Sequence, residues 1–299
     1  MNIFVIMILY FKREGDILNI NWYPGHMKKT IEDIQAKSKL VDFYIEIIDA
    51  RIPISSRNPL ISKVLQNRKG LLILNKTDLS NAEQNELWKK KLSDENNRAI
   101  LYSAAKPNSS IIVRESLNFM QEEIAKKEER GVNMGPLRAM IVGIPNSGKS
   151  TFINGISKTK SAKVGNRPGV TKTNQWIKLN PKLHLLDTPG VLWPKFEDQT
   201  VGLNLAFTGA IKDEIMDVET LALRLIERLI TIDVNILQNR YNIDMDGEPI
   251  EIMERIGKKR GAIIRGGEID YTKVANIILD EFRKGVLGNI TLETIDGRI

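Results

Sequence analysis

Gly143–Ser150 reads Gly-Ile-Pro-Asn-Ser-Gly-Lys-Ser, the spacing G-x-x-x-x-G-K-[ST]. Glycines at those places let backbone N–H groups close around an anion, and a helix starting there turns its positive end to the same point. Pro145, Asn146, Ser147, Gly148 and Thr151 complete the cradle. Lys149 is placed to reach the β- and γ-phosphates of a nucleotide, and the Ser150 hydroxyl to ligate Mg²⁺.

Earlier in the chain, Asn75-Lys76-Thr77-Asp78 closes an apolar run. The Asp78 carboxylate can accept both the ring N–H and the exocyclic amine of guanine, a pairing adenine does not offer. Asn75 would brace neighbouring loops, and the stem of Lys76 would lie on the base. An exposed turn after a strand is the plain alternative. Ser103-Ala104-Ala105 follows the next apolar run, where a serine turn could aim the Ala104 N–H at guanine O6.

Asp187-Thr188-Pro189-Gly190 ends a further apolar run. There Asp187 would hold Mg²⁺ through water and the Gly190 N–H would sense the γ-phosphate. Between this motif and the phosphate loop lies "RPGVTKTN" (167–174), where a switch segment belongs. Thr171 is the first candidate to close over Mg²⁺ and the γ-phosphate, Thr173 the second, and their ordering by the γ-phosphate would be the switch.

The elements that must position these residues are legible in outline. Apolar, β-rich runs at 42–49, 70–75, 98–103 and 137–143 read as strands, with helical stretches at 27–40, 58–69, 81–93 and 110–129. Segments 175–180 and 182–187 read as a hairpin turning at Asn180-Pro181. Strands alternating with helices predict an α/β fold with a mostly parallel sheet. After about residue 206 the pattern becomes helical, most clearly at 218–230 and 271–285. No internal repeat or low-complexity tract is evident.

Phosphate loop, switch threonine and DTPG run in the usual order of guanine-nucleotide proteins, but NKTD and SAA precede them. Five motifs at strand ends make coincidence untenable: the chain is read as circularly permuted. Permutation cuts only loops, so every ligand loop still emerges at the strand C-termini. It also sends the segment after DTPG, residues 191–205, straight into the helical region with little slack, so that movement near Gly190 would reach that region covalently.

At 299 residues, one to two domains fit. The expected division is an extension at 1–20, a permuted nucleotide domain at 21–205 and a smaller all-α domain at 206–299. Absence of cysteine removes a disulfide framework and a thiolate metal site, and suits a reducing cytosol. The net charge of +7 favours a polyanionic partner. Residues 206–299 carry 13 Lys+Arg against 17 Asp+Glu, a balance of −4, leaving 31 against 20, or +11, for residues 1–205. Surplus lysines on solvated faces are the bland reading of that excess. The leading run "MNIFVIMILYF" has 11 residues, short of the roughly 20 a membrane span takes. It lacks the basic region and cleavage site of a signal peptide. "REGD" (13–16) back-translates to a purine-rich stretch like a bacterial ribosome-binding sequence. Translation is therefore expected to begin near Leu18.

"NWYPGHM" (21–27), "DARIP" (49–53), NKTD, "GIPNSGKS", "RPGVT", DTPG and the tail "GEIDYTKVANIILDEFRKGVLGNITLE" together resemble the circularly permuted ribosome-assembly GTPases, the ribosome biogenesis GTPase A family. The match runs from about Asn21 to the end. The resemblance implies a cytoplasmic GTPase that converts GTP to GDP and phosphate, stimulated by ribosomal particles. It implies a large-ribosomal-subunit precursor and its rRNA as partners, with neither DNA nor membrane, a late assembly step, and a helical C-terminal domain touching rRNA. "KKRGAIIRGG" (258–267) offers local basic residues for that contact, or a solvated loop.

Many GTPases place a water-orienting glutamine after DxxG; Val191 stands there and cannot serve. The resemblance implies His26 in its place, polarising water beside Lys149, Thr171 and Gly190, with a structural or RNA-contacting role for His26 equally open. His184 is read as packing. Asn146 matches an asparagine that supports K⁺ in some relatives, which makes K⁺ the second candidate cation. Two rival readings remain: an ATPase in which NKTD is accidental, and a signalling GTPase whose partners are proteins only.

Overall fold

The computed structural model describes residues 25–131, 135–157 and 175–295. The proposed extension, the start at Leu18, and the switch segment with Thr171 and Thr173 lie outside the described residues. His26 falls in the first turn of a helix, but its side chain is outside them too.

Six strands form one sheet: β1 (Phe43–Asp49), β2 (Lys69–Asn75), β3 (Asn97–Leu101), β4 (Leu137–Gly143), β5 (Gln175–Asn180) and β6 (Leu183–Asp187), in the order β3-β2-β1-β4-β6-β5. All pairs are parallel except β5 with β6. β1 is buried along its whole length because it lies mid-sheet with both faces covered. Tyr44 and Ile48 enter one apolar cluster, while Phe43, Ile45 and Ile47 enter the other. This is the period-two alternation of a strand.

The helices before the C-terminal region are α1 (Gly25–Lys37), α2 (Pro59–Val64), α3 (Ala82–Lys91), α4 (Ser109–Phe119), α5 (Gln121–Glu129) and α6 (Lys149–Ile156). Then follow α7 (Gln199–Phe207), α8 (Val218–Ile232), α9 (Asn235–Tyr241), α10 (Pro249–Arg260) and α11 (Tyr271–Arg283). Local chemistry sets their ends. Asp217 caps α8 by accepting from Glu219 N at 3.0 Å, and Asp270 caps α11 by accepting from Lys273 N at 2.9 Å. Gly261 closes α10 in the left-handed conformation at φ 64°. Leu225 of α8, Ile252 of α10 and Ile278 of α11 belong to the same cluster as Tyr44 and Ile48. Each fully buried side chain of this kind contributes about 1.5–3 kcal/mol, so that shared core holds the C-terminal helices to the sheet. The expected division at 205/206 falls inside α7.

After α11 the chain returns to the sheet. Ile290 N donates to Leu79 O at 3.0 Å, and Leu292 N to Arg51 O at 2.8 Å. Glu293 accepts from Ile54 N at 2.6 Å and Asn204 Nδ2 at 3.1 Å, while Trp88 Nε1 donates to its carbonyl at 2.7 Å.

Three sequence expectations change. The single helix expected over 110–129 is α4 and α5, broken at Met120 (φ −96°, ψ 10°), whose side chain is buried against the sheet. Helix 58–69 shrinks to α2, which Asn58 caps and Leu65 ends. Strand 98–103 stops at Leu101, which frees Ser103 to turn. The hairpin forms as expected, with Asn180 Oδ1 accepting from Lys182 N and Leu183 N at 2.9 and 2.8 Å.

Candidate functional site

Parallel register delivers the chemistry to one edge. Asp49 pairs with Asn75, Ile47 with Gly143, and Ile141 with Asp187. The loops leaving β1, β2, β4 and β6 therefore open side by side at the strand C-termini, where ligands bind in open α/β sheets.

The phosphate loop leaves β4 and enters α6 through Gly148, which has φ 90°. Left-handed backbone at this point suits glycine, and a Cβ on Gly148 would lie 2.3 Å from Asn75 Nδ2. Asn146 is also left-handed, at φ 57°. Its Nδ2 donates to Thr208 O at 2.8 Å, so the loop is joined directly to the turn after α7. Arg283 of α11 holds that turn from the other side, donating to Phe207 O and Ala206 O at 2.9 and 2.8 Å. Ser147 Oγ closes the loop on Ile144 O at 3.0 Å.

Asn75 links three motifs. Its Nδ2 donates to Ser147 O and its Oδ1 accepts from Ala104 N, both at 2.9 Å. That second bond corrects one expectation: the Ala104 N–H faces Asn75, not outward for a base oxygen. The cause is the early end of β3, which brings the Ser103–Ala105 turn onto the Asn75 amide. Lys76, left-handed at φ 63°, reaches over the phosphate loop, its Nζ donating to Asn146 O at 2.6 Å and Asp49 Oδ2 at 2.9 Å. Thr77 Oγ1 donates to Tyr102 O at 3.0 Å. Ser103 Oγ donates to Asp78 Oδ1 at 2.6 Å and orients that exposed carboxylate.

Lys149 and Asp187 form a buried ion pair at 2.7 Å. Ser150 follows in the first turn of α6. Thr188 Oγ1 donates to Ile141 O at 2.7 Å and holds the DTPG turn to β4. A Cβ on Gly190 would lie 2.9 Å from Pro145 N, so DTPG touches the phosphate loop itself. Val191 is fully buried, with its N donating to Gly143 O at 3.3 Å and its O accepting from Asn58 Nδ2 at 2.9 Å. It has neither the chemistry nor the exposure to orient water. Asn58 was not singled out from sequence, and Asp49 entered only as the first residue of DARIP, without a role; its place in that motif and at a strand end were the available signals.

His184, expected to pack, is half-buried on β6, opposite Lys178 on β5 and Arg138 on β4. Burial, helped by those two cations, holds its imidazole below the ordinary value. Among the described residues no group of three or more His, Cys, Asp or Glu could hold a metal alone. A cation here would draw on phosphate oxygens as well.

Comparison with known proteins decides the family. A family model described as "50S ribosome-binding GTPase" matches residues 138–256. A "Ribosome biogenesis GTPase A" from Bacillus cereus is 44% identical over 280 residues, covering 92% of this chain and 94% of that one. This chain belongs to the ribosome biogenesis GTPase A family. It is accordingly a GTPase of circularly permuted α/β architecture. A "Mitochondrial ribosome-associated GTPase 1" from Ictalurus punctatus is 34% identical over 295 residues, covering 91% of this chain and 92% of that one. A GNP-bound YlqF structure from T. maritima shares the fold, with a TM-score of 0.62 at 22% identity, over 90% of this chain and 98% of that one. Among the described residues, no helix is long and apolar enough to cross a membrane.

Proposed function

We propose that this GTPase is a nucleotide switch that binds the maturing large ribosomal subunit in the cytoplasm and promotes a late assembly step. The observation that carries the switch is the direct bond from the phosphate loop to the C-terminal half, Asn146 Nδ2 to Thr208 O at 2.8 Å, with Arg283 holding the same turn. A nucleotide that reorders the loop changes the support of the helices. The ribosomal partner is supported by the relatives' names and by the +11 balance of residues 1–205, which suits an RNA polyanion. Residues 206–299 are assigned as the part that reads rRNA, with the −4 balance placing the burden on local patches such as 258–267.

In this reading Asp78 selects guanine while the stem of Lys76 lies on the base. The base oxygen falls to the Ala105 amide, next to the engaged Ala104. Pro145 to Thr151 wrap the phosphates, and Lys149 exchanges Asp187 for phosphate oxygen. The donor set fits Mg²⁺: the Ser150 hydroxyl and Asp187 carboxylate are hard oxygens beside the loop, with Thr171 completing it and Asp187 acting through water. Bound there, Mg²⁺ would neutralise developing charge on the phosphates. Asn146 Oδ1, opposite the anchored Nδ2, suits K⁺. Because Val191 is buried, water must be oriented from elsewhere, and His26 on α1 is assigned that role, with turnover stimulated by ribosomal particles.

Co-sedimentation with large-subunit precursors tests the proposal. A non-hydrolysable GTP analogue should strengthen association, GDP should weaken it, and added salt should weaken it steeply. Association that ignores both nucleotide and salt would instead favour a signalling GTPase acting on proteins alone.

A further inference from the structure

Asp49 belongs to none of the nucleotide motifs, yet it lies under them. It ends β1, is 1% exposed and pairs in register with Asn75. Its Oδ1 accepts from Arg51 N at 3.1 Å and Arg51 Nε at 3.0 Å. Its Oδ2 accepts from Arg51 Nη2 at 2.7 Å and Lys76 Nζ at 2.9 Å. Lys76 Nζ continues to Asn146 O at 2.6 Å. Lys76 and Asn146 both hold left-handed backbone, at φ 63° and 57°. Non-glycine residues keep that conformation where the surroundings hold them there.

Arg51 cannot swing away from this carboxylate. Its guanidinium is buried over the Phe282 ring at 5.4 Å, with Nη1 donating to Arg283 O at 3.4 Å. Its carbonyl accepts from Leu292 N at 2.8 Å. The C-terminal helix and tail thus fix Arg51, Arg51 fixes Asp49, and Asp49 aims Lys76. We propose that Asp49 is a positioning residue for guanine nucleotide, holding Lys76 across the phosphate loop from a seat braced by the C-terminal helix. Removing its charge leaves the buried Arg51 guanidinium and the half-buried Lys76 ammonium side by side without the carboxylate that joins them. Burial pushes the Asp49 carboxyl upward, but Arg51 and Lys76 outweigh it and hold the group well below the usual carboxylate range. The anchor therefore stays charged throughout the working pH range.

A buried ion pair that merely stabilises the fold is the competing explanation, and β1 supplies its control. Glu46, 1% exposed on the same strand, pairs with Arg57 Nε at 3.1 Å and, among the described residues, has no bond to a nucleotide loop. The proposal rests on the reading of Asn75–Asp78 as the guanine selector, so Asp78→Asn is measured alongside.

Fluorescent GDP and a GTP analogue are titrated into full-length wild type, Asp49→Asn, Glu46→Gln and Asp78→Asn, with KM, kcat and thermal unfolding on the same preparations. Asp49→Asn should weaken both nucleotides by at least about tenfold and raise KM to match, with kcat at saturation within about twofold. Glu46→Gln should bind as wild type does. In a double-mutant cycle, Asp49→Asn on a Lys76→Met background should cost little further affinity, because the contact is already gone. Wild-type affinity in folded Asp49→Asn, an equal loss in Glu46→Gln, or an additive cycle overturns the proposal. Should Asp49→Asn not fold, Arg51→Lys decides: it keeps the charge but loses the two-pronged grip, and unchanged nucleotide affinity overturns the proposal. Asp78→Asn that still prefers guanine removes the selector reading and this inference together; altered base preference there with normal Asp49→Asn binding removes only the inference.

Discussion

Replacing Asn75 by alanine should separate the nucleotide loops without touching a phosphate or base contact. Asn75 is 1% exposed, and its amide satisfies Ser147 O and Ala104 N, each at 2.9 Å. Alanine leaves both backbone groups without these partners. An orphaned buried group costs about 1–3 kcal/mol. Ser147 is buried and Ala104 half-buried, so water can repair the second more readily, and about 2–4 kcal/mol is the combined expectation. In the empty protein the loops can move apart and recover part of that. With nucleotide bound they must stay together, so most of the loss should appear as affinity. At 1.4 kcal/mol per tenfold, that is a Kd raised about 30- to 1000-fold. The assay is equilibrium titration of fluorescent GDP, paired with unfolding scans with and without GDP; the nucleotide-dependent stabilisation should shrink in step with affinity. Asn75→Asp should be at least as damaging, because it sets a carboxylate oxygen against the Ser147 carbonyl. Binding within about threefold of wild type in both variants would refute the view that one amide holds the loops together.

Asp78→Asn should weaken GTP and gain xanthine nucleotide, since an amide can donate to the extra carbonyl; competition titrations with xanthosine diphosphate would expose a wrong assignment as unchanged preference. Gly148→Ala should cost about 1–2 kcal/mol from left-handed backbone alone, and more from a Cβ placed 2.3 Å from Asn75 Nδ2; nucleotide affinity should fall, and a normal Kd would contradict that geometry. Leu292→Ala removes a fully buried side chain from the tail and should destabilise by about 2–5 kcal/mol in denaturant unfolding, whereas a loss under about 0.5 kcal/mol would mean the tail is only loosely seated. Burial raises the Glu293 carboxyl above its ordinary value despite the bonds from Ser55, Ile54 and Asn204. Its stabilising contribution is therefore complete below the unfolded value and lost as pH rises through the folded one. Glu293 should therefore add stability as pH falls towards the ordinary carboxylate range, and Glu293→Gln should lose that part of the pH slope in unfolding measurements; equal slopes would deny the carboxyl this role.

Short-range patterns carried most of the architecture. Apolar runs gave the strands of the sheet to within a residue or two, because a buried strand must be apolar over its own length. The phosphate loop, NKTD, SAA and DTPG were readable because each follows an apolar strand with fixed residue types at fixed spacing, and their order along the chain was enough to reveal the permutation. Met120 escaped because a helix break driven by burial of one side chain leaves no turn residue behind. What tertiary structure alone decided is who faces whom. Nothing near Asp49 says that its carboxylate will meet Lys76, or that Arg51 will be pinned by Phe282 and Leu292. Val191 reads as a missing catalytic side chain, and only its packing and the Asn58 bond show that it closes the core. Ala104 reads as a donor to the base until the turn after β3 sets it on Asn75. These contacts join residues far apart in the chain through strand register and shared burial, and interactions of that kind have no period or spacing that a local stretch of sequence could display.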